Sequence, residues 1–170
     1  MKLNIGGTEI KEGWQILNIQ RGPGVDFVGS CTDLSQFQEN SISEIYASHV
    51  FEHLSHRDEL MSVLAGCYGV LEPGGELKIS VPDMVILSQL FLAENITVEQ
   101  RYELMLMIFG GHEDENDIHK VGCWDELLAL YLMNVGFKEP KKVNEFGLFD
   151  DYSSQRFAGE LISLNMIAIK

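Results

Sequence analysis

A chain of 170 residues with 45% hydrophobic content has the size and composition of one globular domain with a single sizeable core. Its 26 acidic and 12 basic residues leave a formal charge of −14, which repels a phosphate backbone and excludes nucleic acid as an expected partner. No apolar run approaches the roughly 20 residues of a membrane-spanning helix and no signal peptide opens the chain, so a cytoplasmic protein without membrane insertion is expected.

Lys2 to Ile5 reads as a short strand ended by Gly6-Gly7, and Gln15 to Ile19 as a second, ended by Arg21-Gly-Pro-Gly24. Val25 to Gly29 and Glu44 to Ser48 are further strands, and His49 follows the fourth. From Arg57 to Leu71, Leu60, Met61, Val63, Leu64, Cys67, Val70 and Leu71 recur at helical spacing, with Ser55 and Asp58 resembling a capping box. Glu72-Pro-Gly-Gly75 stops that helix, and Glu76 to Val81 is a strand closed by Pro82. Thr97 and Gln100 form a second capping box, for a helix ended by Gly110-Gly111. A polar loop, His112 to Gly122, precedes a helix capped by Asp125 and ended by Gly136. Lys138 to Val143 and Leu161 to Ile169 read as extended and pair as a hairpin at the sheet edge. Strands alternating with helices predict an α/β domain, with a mostly parallel sheet and helices on both faces.

Cys31, Cys67 and Cys123 are odd in number and widely spaced, which suits buried, reduced thiols rather than a zinc or disulfide framework. The run Glu113 to Asp117 lacks the glycine and terminal glutamate of a calcium-binding loop and reads as a solvated lid. Trp14 and Trp124 read as core aromatics.

Four segments, Leu3-Asn-Ile-Gly6, Tyr46-Ala-Ser-His-Val-Phe-Glu-His53, Val70-Leu-Glu-Pro-Gly-Gly75 and Ile79-Ser-Val-Pro-Asp83, together resemble class I S-adenosyl-L-methionine (SAM)-dependent methyltransferases almost end to end. His119-Lys-Val-Gly-Cys-Trp124, Val135-Gly-Phe137 and Ser163-Leu-Asn165 look like the small members of that family, several of which act in surface-glycan biosynthesis. The resemblance implies a Rossmann-like fold whose seven-stranded mixed sheet is mostly parallel, has an antiparallel last strand and is flanked by helices. It also implies that the chain starts at the first strand, without the helix that often precedes it, which leaves room for a homodimer over the cleft.

SAM carries a ribose diol, an adenine amine, an amino acid head and a sulfonium, and ligands of open α/β sheets bind beyond the carboxyl ends of the strands. The resemblance places the cofactor on the first turn, Ile5-Gly6-Gly7-Thr8, on Gln20 after the second strand, on Thr32-Asp33-Leu34 after the third, and on Ser48-His49 after the fourth. Asp33 is the expected partner of the adenine amine. Three positions depart from the family pattern: Thr8 replaces a glycine, Gln20 a diol-binding carboxylate and Ser30 an acidic residue. For removing an acceptor proton the candidates are His49, His53, His119 and Asp83. His49-Val-Phe-Glu-His53 also fits an H-x-x-E-H metal motif, but it follows a strand and has no evident third ligand, so no metal is expected. The sequence therefore predicts methyl transfer to a small-molecule or glycan-type acceptor, with a non-catalytic binding or assembly module as the rival reading.

Overall fold

The computed structural model describes residues 1–114 and 116–170. Its strands are β1 (Lys2–Ile5), β2 (Trp14–Asn18), β3 (Phe27–Val28), β4 (Ile42–Ser48), β5 (Leu71–Pro82), β6 (Lys138–Val143), β7 (Arg156–Phe157), β8 (Glu160–Leu161) and β9 (Ser163–Ile169). The helices are α1 (Glu59–Val70), α2 (Met84–Leu92), α3 (Val98–Phe109) and α4 (Asp125–Val135). The main sheet has seven strands in the order β3-β2-β1-β4-β5-β9-β6. Strands β1 to β5 pair in parallel, whereas β9 runs antiparallel to both β5 and β6. The expected mixed edge is present, although 144–162, with the small β7-β8 hairpin, separates the two strands that form it.

Side-chain alternation along the strands gives the sheet two unlike faces. Leu3, Ile5, Ile45, Ala47, Leu77, Ile79, Leu164 and Met166 turn to one side and pack with Leu60, Leu64 and Cys67 of α1 and Leu128 and Leu132 of α4. The opposite side carries buried Asn4, Tyr46, Lys78, Ser80 and Asn165. There the connection between β6 and β9 supplies the cover: Phe146 packs edge-on and Phe149 tilted against Tyr46, whose hydroxyl donates to Asp151 Oδ2 at 2.8 Å. Helices α2 and α3 form their own cluster with Ile162. The sheet is thus flanked by helices, but the layer of α1 and α4 follows its apolar face.

Local differences from the sequence reading have physical causes. Asp58, not Ser55, caps α1 through a bond from Glu59 N, while the Glu59 carboxylate reaches back to Ser55 N. Trp124 is the residue before α4 and makes no side-chain cap, so Asp125 is instead an acidic group in the first turn, where the helix dipole favours it. Helix α2 has no counterpart in the expected elements; its start signal is Asp83, whose Oδ1 accepts from Val85 N and Ile86 N. The Thr97–Gln100 box of α3 and the left-handed Gly136 ending α4 are as expected. All three cysteines are buried and free. Trp14 packs edge-on against Tyr46 and Phe149, whereas Trp124 is exposed.

Asn165, fully buried on β9, donates from Nδ2 to Asn144 O at 2.7 Å and to Ser153 O at 2.8 Å, pinning both ends of the segment that covers Tyr46. Asn165→Ala leaves those two carbonyls without a donor and is expected to lower stability by about 2–3 kcal/mol in urea titration. Faster amide exchange in 144–155 is expected with it.

Candidate functional site

The carboxyl ends of β1 to β5 meet at one edge of the sheet. The turn after β1 is held by Gly6 N, which donates to Leu17 O at 2.8 Å. Gly6 has a φ of +76°, and a Cβ there would lie 2.4 Å from Val50 Cγ2; one at Gly7 would lie 2.2 Å from Asn4 Nδ2. Only glycines fit this passage. Asn18 locks the turn by donating to Gly6 O at 3.2 Å and Gly7 O at 3.1 Å, while its Oδ1 accepts from Gln20 N at 2.9 Å. One side chain therefore joins the turns after β1 and β2.

Two cavities open at this edge, of about 390 and 790 Å³, and Gly6, His49 and His53 line both. Ile5, Gln20 and Thr32 line the smaller; Gly7, Thr8, Ser48 and His119 line the larger. Thr8 is exposed at the rim of the larger cavity. Cys31 also lines the smaller cavity, and burial pushes its thiol up to about 11, so it is a neutral wall and not a nucleophile.

Three expected residues lie outside both linings. Asp33 is exposed, and hydrogen bonding from Ser35 holds its carboxyl below the usual value. Leu34 is buried in the core. Asp83 is buried as the cap of α2 and pairs with Lys142 Nζ at 2.7 Å, so its role is structural.

His49 sits at a φ of +53°, which is strained for a residue with a Cβ. Its Nε2 is 2.9 Å from Ser163 Oγ, and that hydroxyl donates its only hydrogen to Tyr152 O at 2.8 Å. Nε2 must therefore be the donor, which leaves Nδ1 turned toward Glu52 Oε1 at 3.1 Å. Nε2 of His49 is thus committed to Ser163, and Nδ1 faces Glu52 without a hydrogen bond. The other two histidines also have a free nitrogen: His53 Nδ1 contacts Ile118 O at 3.2 Å, leaving its Nε2, and His119 Nδ1 is buried without a partner. Burial holds the His119 imidazole below its usual value, against an upward pull from Glu52.

The loop 112–122 reaches both cavities, with Asn116 and Lys120 in the smaller and Asp117 and His119 in the larger. Of its acidic run, Glu115 lies outside the described residues; Asp117 Oδ2 accepts from Glu113 N, and Asp114 Oδ1 from Asn116 N. Glu9, Glu52, Glu103, Asp117, Asp150 and Asp151 give the larger cavity six carboxyl groups, and no Lys or Arg occurs among its described lining residues. Sequence reasoning did not nominate Asn18, Glu52, Tyr152 or Ser163 as site residues; Glu52 had a signal in its place within the H-x-x-E-H string, and Ser163 in opening the Ser163-Leu-Asn165 segment.

Residues 5–79 match the family model described as a methyltransferase domain. A SAM-dependent methyltransferase from Archaeoglobus fulgidus matches over 99% of this chain and 85% of its own, at 16% identity and a TM-score of 0.63. The 1,6-didemethyltoxoflavin-N1-methyltransferase of Burkholderia thailandensis, solved with 1,6-didemethyltoxoflavin and S-adenosylhomocysteine, matches over 99% of this chain and 70% of its own, at 16% identity and a TM-score of 0.61. No match was found among curated proteins. The methyltransferase family model thus covers the first half of the sheet, from the end of β1 into β5, and the chain shares the fold of these two SAM-linked structures.

The lining fits S-adenosylmethionine, on which the Archaeoglobus fulgidus enzyme depends. The side-chain-free passage at Gly6-Gly7 permits close backbone approach, and the carboxylates of the larger cavity suit a ligand carrying a sulfonium and an ammonium. Among the described residues no helix is long and apolar enough to cross a membrane.

Glycine at position 6 is tested against Gly13, which has a φ of +82° but nothing within 4 Å of its Cβ position. Gly13→Ala should cost only the strain of its backbone, about 1 kcal/mol. Gly6→Ala adds overpacking against Val50 and should cost about 2–4 kcal/mol, both read from denaturant midpoints.

Proposed function

We propose that the protein transfers a methyl group from SAM to a neutral or cationic small-molecule or glycan-type acceptor held in the larger cavity. The observation that carries this reading is the pair of cavities joined at Gly6, His49 and His53, on either side of a turn that only glycine can form. When bound, the cofactor supplies a methyl group on a sulfonium, whose departure needs no proton donor.

The chain's own contribution is positioning. Gly6 and Gly7 present backbone groups, while Gln20 and Thr32 offer hydrogen-bonding side chains in the smaller cavity for the nucleoside part. His49, fastened to Ser163 and facing Glu52, holds the shared wall in shape. Glu52, His53 and His119 direct lone pairs into the acceptor side. Six carboxyl groups without a Lys or Arg disfavour phosphorylated or carboxylated acceptors, since anions would be repelled inside a low-dielectric cleft.

Isothermal titration with SAM and with S-adenosylhomocysteine tests the reading: micromolar binding of both is expected. Absence of heat with either would contradict it and favour a methyltransferase-like binding module, the reading that Gln20 and Thr8 would then support. Gln20→Glu introduces a charged acceptor for the ribose diol and should tighten SAM binding several-fold, about 1 kcal/mol. Asp33→Ala should leave binding unchanged, because Asp33 lines neither cavity.

A further inference from the structure

We propose that Glu52, His53 and His119 form a binding site for a divalent metal ion of borderline softness, of the class of Zn2+ or Co2+. The three residues each offer one ligand atom, and these atoms lie within 4.8 Å of one another. The set of two imidazoles and one carboxylate is a donor combination that such ions favour.

Glu52 is the decisive residue. It is 1% exposed, and neither carboxylate oxygen has an aligned hydrogen-bond donor among the described residues. His49 Nδ1 is 3.1 Å from Oε1 but makes no hydrogen bond to it. A buried carboxylate so placed is costly unless a cation or donor meets it. His119 Nδ1, also buried, has no partner either. His53 turns Nδ1 to the Ile118 carbonyl, which fixes the tautomer that leaves Nε2 with its lone pair. A backbone carbonyl behind a metal-ligating imidazole is the usual outer support of such sites.

The backbone also brings the ligands together on purpose-built geometry. Glu52 O accepts from Lys120 N at 2.7 Å and from Val121 N at 3.3 Å, so the loop bearing His119 is tied directly to the 3-10 turn Phe51–His53. The rings of His53 and His119 stand edge to face, 4.9 Å apart. Tetrahedral zinc with bonds of about 2.0–2.1 Å needs donors roughly 3.4 Å apart. The donors stand within 4.8 Å of one another, so ion binding requires the two partly exposed rings to turn inward to that spacing. His49, spent on Ser163, is not a ligand, so the sequence motif contributes its Glu52 and His53 while the third ligand comes from 66 residues further on, at His119.

All three ligands line the larger cavity, and three protein ligands leave a coordination position open to a molecule within it. An oxygen group of an acceptor would take that position; this role rests on the methyltransferase reading, whereas ion binding does not.

The test is titration of the untagged, metal-stripped protein with Zn2+ against a chromophoric chelator, with Co2+ absorption reporting coordination. One equivalent bound, with a tetrahedral or five-coordinate Co2+ spectrum, is expected. Glu52→Gln and His119→Gln should each weaken binding at least about tenfold, and His56→Ala, an exposed ring outside the cluster, should not. No stoichiometric binding, or binding indifferent to His119→Gln, overturns the proposal. Should Glu52→Gln fail to fold, His119→Gln and the Co2+ spectrum still decide. SAM titration of the metal-free protein is read separately, so loss of the metal site leaves the cofactor reading standing, and the reverse.

Discussion

The passage of the chain between Val50 and Asn4 immediately after β1 is the constraint on which the site depends. No side chain fits there, because Cβ positions at Gly6 and Gly7 are already claimed by those neighbours. The same turn touches both cavities and is stitched to β2 through Asn18 and through Leu17 O. A ligand spanning the two cavities must therefore cross backbone, not side chain, at this point. Parallel strands β1 and β4 deliver Gly6 and His49 to the same sheet edge, since Ile5 pairs with Ala47 and His49 lies one residue beyond the level of Gly6. The reversed β9 then brings Ser163 back to the same edge, opposite Pro82, where it meets His49.

Much of this scaffold is legible in the sequence because local signals carry it. Alternating apolar residues in 2–5 and 44–48, the Thr97–Gln100 box and Gly136 each specify structure within a few residues, and all have counterparts in the fold. Helix α2 is obscured because its cap, Asp83, follows a Pro and reads equally well as the end of a strand-side loop. Asp33 lies outside both cavity linings for a related reason: its short loop turns the carboxylate back onto Ser35 N, a local bond that competes with facing the cleft.

The least legible part is the Glu52–His53–His119 cluster. Glu52 and His53 are adjacent in a recognisable motif, but the partner that gives them meaning arrives through a backbone contact between Glu52 O and Lys120 N. No periodicity or spacing encodes that closure. The same holds for His49, whose bond to Ser163 spans 114 residues. Long-range hydrogen bonds of this kind separate residues that share a motif and join residues that do not.

The most direct test of the central claim, that the Gly6-Gly7 turn is the floor of a cofactor cleft, is a backbone amide NMR titration with S-adenosylhomocysteine. The account predicts saturable shifts concentrated at Gly6, Gly7, Gln20, Thr32 and His49, with β6 and the exposed face of α4 unaffected. Shifts confined to regions away from the strand ends, or none at millimolar ligand, would contradict it.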